Sequence, residues 1–145
     1  MRRSLTSKST DELMDELKSG ESLDCFLEKN SSALDRQTFA DYLKKLMKRQ
    51  NTNKKEVIKN SLVNEIYCYQ IFAGSRMPTK DKIIAIALAL QLDLDETQRL
   101  LSLGGAAALY PKNSRDCVLI NAINTHSSVS ELNRELFERH MDCLK

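Results

Sequence analysis

Long apolar runs are missing from this chain of 145 residues. No stretch approaches the roughly 18 consecutive apolar residues that a membrane-spanning helix requires. The first ten residues, MRRSLTSKST, carry two arginines with no apolar region behind them, so the pattern of a secretory signal is also missing. We therefore expect a cytoplasmic protein without a membrane partner.

Metal-binding and catalytic patterns are also absent. The cysteines are scattered, no pair has CxxC spacing, and neither histidine stands beside one of them: Cys25, Cys68, Cys117 and Cys143. We expect reduced thiols that pack as small apolar side chains. Because the sequence has no Ser/His/Asp grouping and no glycine-rich phosphate loop, we expect no enzyme, no cofactor and no metal.

Alternation of apolar and polar residues is rare, whereas apolar residues recur at helical spacing along most of the chain. The sequence therefore predicts an all-α fold. Capping patterns divide it into an N-terminal extension (1–36) with helices near 10–19 and 22–30, a five-helix domain (37–105), and a C-terminal extension (106–145) with two helices. The predicted caps inside the last two regions are Asn53, Asn64, Thr79, Asp95 with Gln98, and Ser128 with Glu131.

Positive charge is concentrated in one part of a chain whose formal net charge is only +2. Residues 36–59 contain eight basic side chains and two acidic ones. Such a concentration indicates an anionic partner that binds one face of the protein. A solvated helix surface is the alternative.

Two short helices joined by a tight turn, near residues 54–60 and 64–72, are typical of a helix-turn-helix. The stretch VNEIYCYQIFAGSRMP, with Gly74 and Pro78, is followed by KIIAIALALQLDLDETQRLLSL. In this order, residues 38–104 resemble the Cro/repressor-type helix-turn-helix domains of the XRE (lambda-repressor-like) family. The resemblance implies a five-helix DNA-binding domain of bacterial or phage type, whose third helix enters the major groove of double-stranded DNA.

The resemblance also implies particular contacts. Base edges would be met by Glu65, Ile66, Tyr67 and Gln70. Among them, Gln70 can bond adenine, Glu65 can accept from cytosine, and an apolar side chain can lie against a thymine methyl. The DNA backbone would be met by Lys44, Lys48, Lys54, Lys55, Lys59, Asn64 and Arg76.

Three features depart from the family pattern. Ile58 stands where the family usually has Ala, Leu62 stands in the turn where it usually has Gly, and no Lys or Arg occurs between residue 64 and Arg76. The first hypothesis for function is a DNA-binding transcriptional regulator that reads the major groove with the helix 64–72. The alternative is a protein-interaction adaptor built on the same scaffold, with a protein partner at this surface.

The apolar residues of the two C-terminal helices have two interpretations. They form a homodimer face, or they cap the core of their own chain. These residues are Val118, Leu119, Ile123, Leu132, Leu136 and Phe137.

Overall fold

The computed structural model describes Met14, Asp15, Leu23 and residues 37–145. The chain divides into two compact units, Met1–Arg36 and Gln37–Lys145. Apart from those three residues, the helices predicted near 10–19 and 22–30 lie outside the described part of the chain. The further division of the second unit at residue 105 stays a prediction.

Residues 37–145 contain seven α-helices and no strand, which confirms the predicted all-α class. Five of the helices lie between residues 38 and 105, as expected. In chain order they are α1 (Phe39–Arg49), α2 (Lys54–Ser61), α3 (Glu65–Ala73), α4 (Lys80–Ala89), α5 (Leu94–Leu103), α6 (Ser114–Asn124) and α7 (Val129–Glu138). No helix in this part of the chain is long and apolar enough to cross a bilayer.

Most helices begin where a side chain was expected to cap them. Asn53, Asn64 and Thr79 each accept a hydrogen bond from the backbone N–H three residues on. Ser128 and Glu131 form the predicted capping box. Each cap satisfies a donor that the first helical turn leaves unpaired, so the polar residue fixes where the helix starts.

The predicted start of α5 was wrong. Asp93 and Glu96 form its capping box, in place of Asp95 and Gln98. Asp93 with Glu96 and Asp95 with Gln98 have the same spacing, two residues apart. The burial of Thr97 favours the pair that begins at Asp93. Thr97 is fully buried and its hydroxyl donates to the Asp93 carbonyl at 2.8 Å, so this residue lies inside the first turn of α5.

Helix ends share one geometry. A residue with positive φ follows each of the seven helices between residues 37 and 145, and two of these residues are glycines: Asn51, Leu62, Gly74, Gln91, Gly105, His126 and His140. At most ends, two backbone N–H groups bond back to carbonyls of the last turn in the Schellman pattern, as those of Gly74 and Ser75 do to Ile71 and Gln70. Gly74 thus closes α3 in the left-handed conformation.

The core is built around α4. This helix contacts α2, α5, α6 and α7, so it is the central helix of residues 37–145. Its buried residues form a run of six, from Ile83 to Leu88. Five residues of α1 are also buried: Phe39, Tyr42, Leu43, Leu46 and Met47.

The C-terminal helices pack on the core of their own chain. Leu119, Ile123, Leu132 and Leu136 are at most 1% exposed within the single chain. Their burial agrees with the second interpretation given above, in which these residues cap the core of their own chain. Of the six residues considered for a homodimer face, Phe137 is the one with a fully exposed side chain, at 74%.

Ion pairs fasten α6 and the last residues to the first turn of α4. Lys80 donates to both oxygens of Asp116, at 3.0 and 3.1 Å, and Asp116 is 6% exposed. Asp81 binds the Arg115 guanidinium through two bonds of 3.1 and 3.0 Å. The Lys82 ammonium donates to the carbonyl of Lys145 at 3.3 Å. Three consecutive side chains of α4 thus hold residues that are far away in sequence.

Candidate functional site

The connection between α2 and α3 is a tight turn with a left-handed residue at Leu62. Leu62 has φ 60° and ψ 17°, the left-handed conformation in which glycine is favoured. The Leu62 side chain is 63% exposed, so its own packing does not offset the strain. The Ser61 hydroxyl stabilises the turn, because it donates to the Ile58 carbonyl and accepts from the Val63 N–H, both at 3.3 Å.

One side of α3 belongs to the core and the opposite side is exposed. Cys68, Ile71 and Phe72 are buried, and the burial of Cys68 agrees with the expectation that the thiols pack as small apolar side chains. Burial raises the pKa of the Cys68 thiol, which therefore stays protonated and behaves as a small apolar residue. Because successive helical residues are rotated by about 100°, Ile66 and Ala73 lie opposite this buried side, at the centre of the exposed face.

Tyr67 and Gln70 hold two cations along one flank of that face. The Arg76 guanidinium lies 4.5 Å from the centroid of the Tyr67 ring, and the Lys82 ammonium lies 4.8 Å from it. Arg76 also donates to the Gln70 side-chain oxygen at 3.2 Å. We call these four residues the Tyr67 cluster. A cation near an aromatic ring gains about 0.5–1 kcal/mol at exposed sites, so Tyr67 keeps two like charges together.

The other flank of α3 carries a third cation. The Lys54 ammonium lies 5.8 Å from the centroid of the Phe72 ring, and Tyr69 meets the same ring edge-on at 6.5 Å. Tyr67 and Phe72 point to different sides of the helix, since five residues separate them. The exposed face of α3, with Ile66 at its centre, therefore has positive charge on both flanks.

A groove opens at the C-terminal end of α3, between this helix and α1. It has a volume of about 300 Å³ and an apolar part formed by Ala40, Ile71, Ala73 and Met77. Lys44 and Arg76 also line it, so the structure brings together two of the predicted backbone contacts. Asp41 lies there too, but its carboxylate accepts from the Thr38 N–H at the start of α1.

The other predicted contact residues are spread over the exposed surface of the first three helices. The structure leaves the side chains of the following residues exposed: Lys48, Lys55, Lys59, Asn64, Glu65 and Ile66. The Asn64 side-chain oxygen is occupied, since it accepts from the Tyr67 N–H at 3.2 Å. Tyr67 and Gln70 are half-buried. Arg76 lies over the Tyr67 ring and binds the Gln70 side-chain oxygen, so both groups already have a partner where a base would bind.

Two basic residues of this region are paired with carboxylates of the same chain. Arg49 pairs with Glu96 of α5, and Lys80 is bound by the buried Asp116. Lys82 also contributes to the site, since its ammonium lies 4.8 Å from the centroid of the Tyr67 ring, and the same ammonium donates to the carbonyl of Lys145. Its contact with Tyr67 depends on the path of the loop between α3 and α4.

Comparison with known proteins adds no relative, since the chain matches no protein-family model, no curated protein and no solved structure. Within the described residues, no group of three or more His, Cys, Asp or Glu side chains could hold a metal ion. The candidate site is therefore an exposed helix face, apolar at its centre, between cations that lie against aromatic rings.

Proposed function

We propose that this protein is a DNA-binding transcriptional regulator with a lambda-repressor-like five-helix domain, which inserts α3 into the major groove. The observation that carries the proposal is the pair of cationic flanks around the exposed face of α3. Arg76 and Lys82 stand on one flank and Lys54 on the other. A major groove about 12 Å wide admits one helix and has a phosphate backbone on each side, so cations are useful on both flanks.

The exposed residues divide between two tasks. Lys54, Lys55 and Arg76 bind phosphates and set the position of the helix without reading sequence. Glu65 and Ile66, in the first turn of α3, meet base edges, where Glu65 accepts from a cytosine amino group. Gln70 reads an adenine through two bonds only if its oxygen exchanges Arg76 for the base, which couples base contact to the position of Arg76.

The proposed protein acts in the cytoplasm as a homodimer, because helix-turn-helix domains bind paired half-sites one helical turn of DNA apart. Phe137 of α7 is the exposed apolar side chain that the C-terminal helices offer to a second copy. Its exposure supports a dimer contact through α7.

Selection from a random DNA duplex pool, followed by fluorescence anisotropy of the best sequence over a salt series, tests the proposal. One motif should be enriched, and its affinity should fall steeply with salt. Arg76→Ala should lower the slope of log K against log salt by about 1. Lys112→Ala, an exposed lysine between α5 and α6, is the control that should leave the slope unchanged. No enriched motif, or weak binding that ignores sequence, contradicts the proposal.

A second function, the protein-interaction adaptor, is favoured by one observation. Ile66 is 70% exposed at the centre of the α3 face, where a base-reading helix would normally carry a hydrogen-bonding side chain. An apolar protein interface responds weakly to ionic strength, so the same salt series separates the two functions.

A further inference from the structure

The exposed apolar surface of α3 continues into the groove at its end. Ile66 and Ala73 stand seven residues apart on one side of the helix, so about 10 Å separates them along its axis. Ala73 is also part of the groove wall, with Met77 beside it, and Met77 is 57% exposed. With the exposed Tyr69 between Ile66 and Ala73, these residues form an apolar track about two helical turns long that ends at Met77.

Cations border this track along its length. Lys54 stands on one flank, Arg76 and Lys82 stand on the other, and Lys44 lies at the far end in the groove.

The carboxylates of the same surface are fewer. Asp41 is occupied as the cap partner of Thr38, and Glu65 lies at the first turn of α3. An occupant of the track therefore meets an apolar floor between positive borders.

DNA explains the cations, and a thymine methyl can meet Ile66, but DNA leaves the groove beside Ala73 and Met77 unexplained. A duplex presents phosphates and base edges, and it has no apolar side chain to fill a groove of about 300 Å³. An amphipathic helix does, because its anchors at i, i+3 or i+4, and i+7 span about 10 Å, which is the separation of Ile66 and Ala73. Carboxylates beside those anchors would meet Lys44, Lys54 and Arg76.

We infer that this surface binds an acidic amphipathic helix of a partner protein, with its apolar anchors along Ile66, Ala73 and Met77. The inference rests on the adaptor function, and it names the class of partner. Arg76 is already fixed by Tyr67 and Gln70, so it has fewer conformations to lose when it meets a carboxylate. A partner of this kind competes with DNA for the same cations.

The test is a selection with the 145-residue chain against a displayed library of helix-forming peptides, randomised at apolar and flanking positions. Enriched peptides should have Leu, Ile, Phe or Met at helical spacing and a negative net charge. Their affinity should fall at least tenfold with Ile66→Ala or Met77→Ala. Both side chains are exposed, so both variants should fold as the parent does. Tyr110→Ala, which changes an exposed aromatic side chain between α5 and α6, is the matched control and should bind as the parent does.

Each outcome decides the inference. Absence of enrichment, enrichment of uncharged or basic peptides, or equal binding by the Ile66→Ala variant would overturn it. The DNA selection described under the proposed function, made with the same protein, separates this inference from the regulator. Peptide binding without any sequence-specific DNA binding leaves the inference standing and removes the regulator. DNA binding without peptide enrichment removes the inference alone.

Discussion

Replacing Asp116 should lower the free energy of unfolding, because this residue attaches α6 to the first turn of α4. Its carboxylate accepts two bonds from Lys80 and one from the Tyr110 N–H at 3.0 Å, and its side chain is 8% exposed. Breaking a buried pair by deleting one partner costs about 3–5 kcal/mol. The Lys80 side chain is 26% exposed and can reach water, so Asp116→Ala should cost less, about 2–3 kcal/mol.

Lys80→Met should be the more damaging single change, because it leaves a buried carboxylate with only the Tyr110 N–H as a partner. We expect about 3–5 kcal/mol for it, out of a total stability of about 5–15 kcal/mol. The double variant should lose less than the sum of the two. The difference, about 1–3 kcal/mol, is the coupling energy between Lys80 and Asp116.

Urea unfolding followed by far-UV circular dichroism measures all four free energies of unfolding. The surface pair of Glu135 and Arg139 is the matched control, since its side chains are 43% and 58% exposed. Its coupling should be about 0.3–0.5 kcal/mol. If the coupling between Lys80 and Asp116 is as small as that of the control pair, water screens the buried pair and our account of its strength is wrong.

Three further changes test local features of the structure. Leu62→Gly should raise the free energy of unfolding by about 0.5–1 kcal/mol in urea titrations, because about 1–2 kcal/mol of left-handed strain exceeds the entropic cost of glycine; a decrease would mean that the exposed Leu62 side chain contributes stabilising contacts. The backbone N–H and the hydroxyl of Ser128 lower the pKa of Glu131, so Ser128→Ala should raise that pKa. NMR titration measures it, and an unchanged pKa would show that the hydroxyl has no part in the shift. Since that pKa is lowered by folding, the stabilisation is present above the unfolded-state pKa and is lost as pH falls through the folded-state value. Alkylation resolved by mass spectrometry should label the exposed Cys117 in the native protein and Cys68 only on unfolding, whereas equal labelling would show that α3 opens readily.

Helix positions could be predicted because their start signals are local. Asn53, Asn64 and Thr79 are each followed by the apolar residues that their helix buries, so one short window contains both the cap and the buried side. The error at α5 arose where two such windows overlap. Burial of Thr97 decides between them, and burial depends on the packing of the whole core.

The contacts between side chains of the candidate site were less predictable than the location of its exposed helix. The sequence indicated an exposed helix between cations, but the stacking of Arg76 on Tyr67 depends on how the next loop folds back. Lys80 shows the same limit, because its partner Asp116 lies 36 residues further along the chain. Residue type and spacing therefore predict what a surface contains, while long-range folding determines which of its charges remain available.

The left-handed residues after the helices have a consequence for partly folded states. Leu62 and Gln91 lack the conformational freedom of glycine, so the local sequence does not end α2 and α4 at these residues. Packing of the residues that follow, such as the buried Leu92, keeps the chain from continuing the helix. A compact acid state that retained helices but lost side-chain packing would lengthen α2 and α4. The lengths of these two helices are therefore a property of the assembled core, and they would change before the helices themselves melted.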